Sequence, residues 1–273
     1  MLELRDFSRL CIHTMTHKPW TLTDCIAAYT KAGVPGITVW RHHLEPQGPV
    51  ESGKMLADSG LAVVSLCRGG FFPSLTKEGR QTAVDDNLRA IDEAAEIGAP
   101  LVVLVPGAAP GQPLEVSRTQ IMEGIAAVAP HARAAGVKLG IEPLHPMYAD
   151  DRSAVNTLHQ ANDMAEQIDD PNVGVTVDVY HLWWDPEVES QIARAGKRIL
   201  SFHVCDWRTP TRDLLNDRGL MGEGCIDVRR IRGWVERAGF TGWIEVEVFS
   251  TEHWAEDQAA YIERVKQAYL QYV

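Results

Sequence analysis

A single eight-stranded parallel α/β barrel, the (β/α)8 or TIM barrel, is the fold this sequence predicts. Three observations carry the prediction. Eight short apolar runs alternate with eight stretches of helical character along the whole chain. The runs are continuously apolar, as strands covered on both faces are. The 273 residues suit one barrel, a unit of about 250 residues. No linker, low-complexity tract or composition shift marks a second domain, so 1–273 reads as one domain. The rival, a doubly wound open sheet, is disfavoured by the count of eight and by the even spread of reactive residues.

The elements follow in order. RLCIH (9–13) is the first strand. A helix over 21–32 follows, with Thr21 or Thr23 as N-cap and Gly33 as its stop. GITVW (36–40) leads to a helix over 50–59, and LAVVSLC (61–67) to the loop RGGFFPS and a helix over 80–97. In that helix Leu88, Ile91 and Ala95 share an apolar face. LVVLVPG (101–107) precedes a helix over 113–135, bent or interrupted near Pro130. VKLGIEP (137–143) precedes a helix over 153–168, and VGVTVDV (173–179) a short one over 186–195. ILSFHVC (199–205) is followed by a long loop and a helix over 227–238. GWIEVEV (242–248) is the eighth strand, closed by a helix over 255–272.

Composition narrows the function. Apolar residues are 45% of the chain, enough for a large core, and the net charge is −11. An acidic chain lacks the basic face that nucleic acid requires, and suits a small-molecule substrate. No run approaches the roughly 18 apolar residues of a membrane span. The start, MLELRDFSRL, lacks the basic region and apolar core of a secretory signal. Five scattered cysteines (Cys11, Cys25, Cys67, Cys205, Cys225) form no paired-ligand spacing. They read as buried structural thiols in a cytoplasmic protein.

Four strands end in a side chain able to ligate a metal: Glu142 on the fifth, Asp178 on the sixth, His203 on the seventh and Glu247 on the eighth. Barrel active sites lie at the C-terminal strand ends, and consecutive strands are neighbours there. One acid after a strand is ordinarily a helix cap or a solvated loop residue. Four on consecutive strands are not explained that way. Burying three carboxylates and an imidazole together is costly without a cation. The oxygen-rich set suits one divalent ion, Mn2+ first, with Mg2+, Co2+ or Zn2+ as alternatives. Glu245 shares the face of Glu247 by the strand period, and Glu247 is preferred as the nearer to the strand end.

The segments IEPLHP, VDVYH, FHVCDW, GEGCID and GWIEVEVF resemble the sugar phosphate isomerase/epimerase family of xylose isomerase-like barrels. That family also includes ketose 3-epimerases, inosose dehydratases and, more distantly, endonuclease IV. The resemblance covers most of 137–250. It implies that Glu142, Asp178, His203 and Glu247 hold the metal and that His181 reaches the substrate. It further implies proton transfer next to a carbonyl, with Glu142 and Glu247 on opposite faces of the substrate carbon, and a homodimer. The 3-epimerases carry a second acid shortly after the first ligand glutamate. Here EPLHPMYADD places His145 and Tyr148 in that stretch.

Other residues are weighed singly. His145 is a candidate proton carrier, with loop packing as the alternative. Arg208 is a candidate substrate contact, with a salt bridge to Asp206 as the alternative. Arg68, ahead of Gly69 and Gly70, is a similar candidate. Of His42 and His43, His43 is taken as lining the pocket, and Trp184 beside Trp183 as a flat wall for a sugar ring. GEGCID does not follow the glycine spacing of a nucleotide loop. The leading expectation is a metal-dependent sugar isomerase or epimerase working through an enediolate. A lyase on a keto-sugar, 3-keto-glycoside or keto-inositol is the alternative, and a non-catalytic sugar-binding barrel the third reading.

Overall fold

The protein is described here by a computed structural model covering residues 3–273. Its strands are β1 (Leu10–His13), β2 (Gly36–Trp40), β3 (Ala62–Gly70), β4 (Leu101–Val105), β5 (Lys138–Ile141), β6 (Val173–Asp178), β7 (Ile199–Val204), β8 (Asp206–Trp207), β9 (Arg218–Gly219) and β10 (Ile244–Val246). Eight of them close a parallel barrel in the order β1-β10-β7-β6-β5-β4-β3-β2, while β8 and β9 pair apart as an antiparallel ribbon. The barrel of eight parallel strands is thus the fold observed.

The helices are α1 (Leu22–Ala32), α2 (Pro49–Ser59), α3 (Lys77–Glu96), α4 (Leu114–Ala134), α5 (Leu158–Ile168), α6 (Val179–Leu182), α7 (Val188–Ala195), α8 (Val228–Arg237), α9 (Thr251–Trp254) and α10 (Gln258–Tyr272). Thr21 caps α1 in a reciprocal box with Asp24, and Gly33 ends it at φ +69°, the left-handed conformation glycine adopts freely. α4 runs through Pro130 rather than stopping there. α5 begins at Leu158, later than its sequence suggests. The preceding stretch is held extended, Leu144 N donating to Val155 O and Ala154 N to Gly107 O, until Thr157 caps the helix.

Strand alternation separates two interiors. Leu10, Ile12, Ile244, Val246 and Val248 belong to the apolar core under the helices. The alternate positions Cys11, His13, Glu245 and Glu247 are buried outside that cluster, on the opposite, inward face. Within the barrel Glu245 accepts hydrogen bonds from Thr38 Oγ1 at 2.6 Å, Ser65 Oγ at 3.0 Å, and Ser201 Oγ. A polar layer therefore crosses the barrel beneath its mouth. Four cysteines are buried as expected, but Cys225 is exposed, because it follows the glycine-flanked turn before α8 rather than a strand.

Candidate metal centre and active site

Four strands deliver the expected side chains to one end of the barrel. Glu142 directly follows β5, and its amide donates to Leu104 O at 3.0 Å. Asp178 ends β6 and accepts from the Tyr180 amide at 2.7 Å, which caps α6. His203 on β7 pairs in register with Asp178 and with Glu245. Ligand atoms of Glu142, Asp178 and His203 all lie within 4.8 Å of one another, and all three residues are buried. His203 Nδ1 faces Glu142 Oε1 at 3.0 Å, and neither atom has a hydrogen-bond partner among the described residues. Buried polar atoms are ordinarily satisfied, so the orphaned Glu142 oxygen and His203 ring nitrogens, with the Asp178 carboxylate beside them, fit a divalent cation.

Glu247, the fourth expected ligand, stands outside that trio. Its Oε2 lies 2.6 Å from Arg218 Nη1 and its Oε1 3.0 Å from His13 Nδ1. Arg218 also reaches Asp178 Oδ2 at 3.3 Å. Its guanidinium is seated over the rings of Tyr180 and Phe249 at 4.4 and 4.8 Å. Burial alone would raise the Glu247 carboxyl, but Arg218 and His13 hold it well below the usual carboxylate range. Asp178 moves the other way: burial, together with Glu247 and Glu142, outweighs Arg218 and lifts it. Burial opposes charge on His13 also, yet Glu247 and Glu245 raise it to about 9. Glu245, 3.3 Å from His13 Nε2, is pushed up by burial and brought down to about 2 by His13 and His203 with the hydroxyl layer.

Above this floor lies a cavity of about 510 Å3, lined among others by Trp40, His42, Arg68, Phe71, Glu142, Tyr148, Arg152, His181, Arg218, Glu247 and Phe249. His181 is buried; it receives the His145 amide at Nδ1 and sets Nε2 3.6 Å from Asp178 Oδ2. Arg68 stacks over Phe71 at 4.1 Å. Glu142, Glu247, His181 and Arg68 therefore share one cavity, with Asp178 and His203 buried beside it.

The other candidates sit elsewhere. His145 packs between Trp207 and Trp184, with ring centroids 4.8 and 5.7 Å away, and Nδ1 accepts from the Met147 amide. Its ring serves the loop rather than the cavity, and burial holds it at about 4. Trp184 donates to His181 O at 2.8 Å, so it braces α6 instead of walling the pocket; Trp40 and Phe249 supply the aromatic lining. His43 is tied to Thr14 Oγ1 and Trp20 O, and its neighbour His42 reaches the cavity. Arg208 is drawn outward to Glu223 at 2.5 Å and Glu252 at 2.9 Å. Asp206 accepts instead from the amides of Gly222, Gly224 and Ile226, each at 2.9 Å. That clasp explains GEGCID as a loop wound about a carboxylate.

Two site residues escape the sequence reading. His13 ends β1 as His203 sits near the end of β7, so the same strand-end signal marks it. Arg218 has no such signal. It lies in the long loop after β7 and reaches the site because β9 folds back on β8.

Comparison with known proteins gives the same fold and finds enzymes among the relatives. Inosose isomerase of Bacillus licheniformis is 25% identical over 189 residues, covering 67% of this chain and 66% of that protein, just under two thirds of its length. 3-Dehydroshikimate dehydratase of Pseudomonas putida is 25% identical over 240 residues, 84% of this chain but 36% of that longer protein. Among solved structures, protein SMc04130 from Sinorhizobium meliloti 1021 is 47% identical with a TM-score of 0.95, covering 98% of this chain and 99% of that one. The IOLI protein with a bound zinc atom shares the fold at 20% identity and a TM-score of 0.84, covering 95% and 96%. Residues 26–265 match the xylose isomerase-like TIM barrel family, and the chain belongs to that family.

Proposed function

We propose that this protein is a divalent-metal-dependent isomerase or epimerase of a small polyhydroxylated ketone, working by proton transfer next to the carbonyl through an enediolate. The observation that carries the reading is the buried convergence of Glu142, Asp178 and His203, with Glu247 lining the same cavity. Glu142, Asp178 and His203 would hold the ion, and Glu247 would complete the set. When bound, the ion supplies Lewis-acid stabilisation of negative charge on substrate oxygens. Glu247, kept ionised by Arg218 and His13, is the proton acceptor. Glu142, reaching the cavity from β5, is the group that returns a proton. Arg218 and His181 contact substrate oxygens between them. The relation to inosose isomerase supports an isomerase on a keto-polyol. The donor set keeps Mn2+ as the first ion to test, and the zinc atom bound by the IOLI protein sets Zn2+ beside it.

A lyase is the second reading, favoured by the relation to 3-dehydroshikimate dehydratase. Both readings begin with the same proton abstraction and part where a β-substituent can leave. The test is incubation in D2O with ketoses, inososes and 3-keto sugars, after chelation and after restoring Mn2+ or Zn2+. Metal-dependent deuterium uptake without loss of a group supports the isomerase or epimerase. An unsaturated product shifts the assignment to a lyase. No exchange with either ion across the panel would leave a non-catalytic sugar-binding barrel.

A further inference from the structure

Four arginines line the cavity, and they differ in what neutralises them. Arg218 is bound by Glu247 and Asp178. Arg41 is held by Asp86 at 2.9 Å and by Glu93 at 2.6 Å. Arg68 and Arg152 have no acceptor among the described residues. Each has a ring beside it: Arg68 lies 4.1 Å from the centroid of Phe71, and Arg152 lies 5.8 Å from that of Tyr148. Asp86, a carboxylate that acts on Arg68, already spends its oxygens on Arg41 and Arg89.

Both guanidiniums are half-buried. Burial and then the charge of Arg152 push the Arg68 guanidinium down from its ordinary value. Two like charges facing one cavity are mutually unfavourable, and a guanidinium stacked on a ring keeps its edge donors free for a planar or tetrahedral anion. The backbone under Arg68 is fixed. Gly70 N donates to Asn87 Oδ1 at 2.6 Å, and Asn87 Nδ2 returns a bond to Gly70 O at 2.8 Å.

We propose that Arg68 and Arg152 form an anion-binding end of the substrate cavity, so that the polyhydroxylated ketone carries a carboxylate or phosphate group. This deepens the reading above and rests on it for the reaction, but not for the binding. The anion is held across the cavity from the metal-ligating floor, which fixes the length of the substrate and which carbon faces Glu247. Neutral ketoses lack that anchor.

The test compares D-fructose, D-fructuronate and D-fructose 6-phosphate as substrates for D2O exchange by the metal-loaded protein. The anionic ketose is expected to exceed the neutral one in kcat/KM by about 10- to 100-fold, the range of a charge-assisted hydrogen bond. Which anion leads separates carboxylate from phosphate. Arg68→Gln and Arg152→Gln should each erase most of that ratio, chiefly through KM, while Arg68→Lys retains part of it. Equal exchange of neutral and anionic ketoses, or a ratio unmoved by both substitutions, would overturn the proposal. Calorimetry with malonate and inorganic phosphate is the separate arm if no ketose exchanges. Binding lost in the Arg68→Gln/Arg152→Gln double variant then upholds the anion site while the isomerase reading fails. Absent binding, or equal binding by wild type and the double variant, overturns the site as well.

Discussion

Glu245 and Glu247 sit two residues apart on one strand face, roughly 6–7 Å apart in depth within the barrel. The deeper one is satisfied by three hydroxyls and His13; the shallower one lines the cavity. Substituting them should therefore have opposite signatures. Glu245→Ala strands three hydroxyls and a charged imidazole in the interior, and is expected to cost about 3–5 kcal/mol of unfolding free energy in urea. Glu247→Gln keeps the shape but removes the proton acceptor, and should lower metal-dependent D2O exchange by about 10^2–10^4-fold. Glu142→Gln should lose bound metal on dialysis, measured by elemental analysis. The strand-end rule found Glu142, Asp178, His203 and Glu247, since a strand's period fixes which residues face inward. Applied to the first strand, it would have reached His13 equally well. His145 and Trp184 are held instead by loop contacts, against Trp207 and His181, which proximity to a ligand in sequence does not reveal.

At the scale of elements, the strands and most helices were legible because a doubly covered strand is continuously apolar and helices carry their own stop signals. Thr21 and Gly33 bracket α1 as read. Removing the reciprocal box with Thr21→Ala is expected to lower stability by about 1 kcal/mol in urea unfolding. What stayed hidden depends on tertiary hydrogen bonds. The extended stretch before α5 looks helical by composition but is claimed by Leu144 and Gly107. The ribbon β8–β9 is two residues on each side, too short for any periodicity. Gly70 is the element-level weak point of the cavity: at φ +105° its added Cβ would lie 1.8 Å from Val105 O. Gly70→Ala should therefore disturb the turn that carries Arg68, and cost about 1–3 kcal/mol.

For the whole molecule, acid sensitivity has a buried source in the turn just after β1. His17 stacks on Trp20, with ring centroids 5.1 Å apart, and burial lowers its imidazole to about 3. The unfolded chain takes up that proton near pH 6.5, while the folded chain stays neutral there. The unfolded state thus binds more protons between these values. The contribution is complete above about pH 6.5 and shrinks as pH falls, by up to about 1.4 kcal/mol per pH unit. Urea titrations from pH 8 to 5 should show the gap between wild type and His17→Gln narrowing below pH 6.5, and a constant gap would refute it. Among the described residues no helix is long and apolar enough to cross a membrane. The ribbon has a wider consequence. Its first strand carries Asp206, the clasp of the loop before α8, and its second carries Arg218, the cation of the site. The chain segment 206–226 thus carries both the clasp and the cation. Grafting it between relatives should transplant the charge at the mouth as one piece, leaving the eight staves and their register as they are.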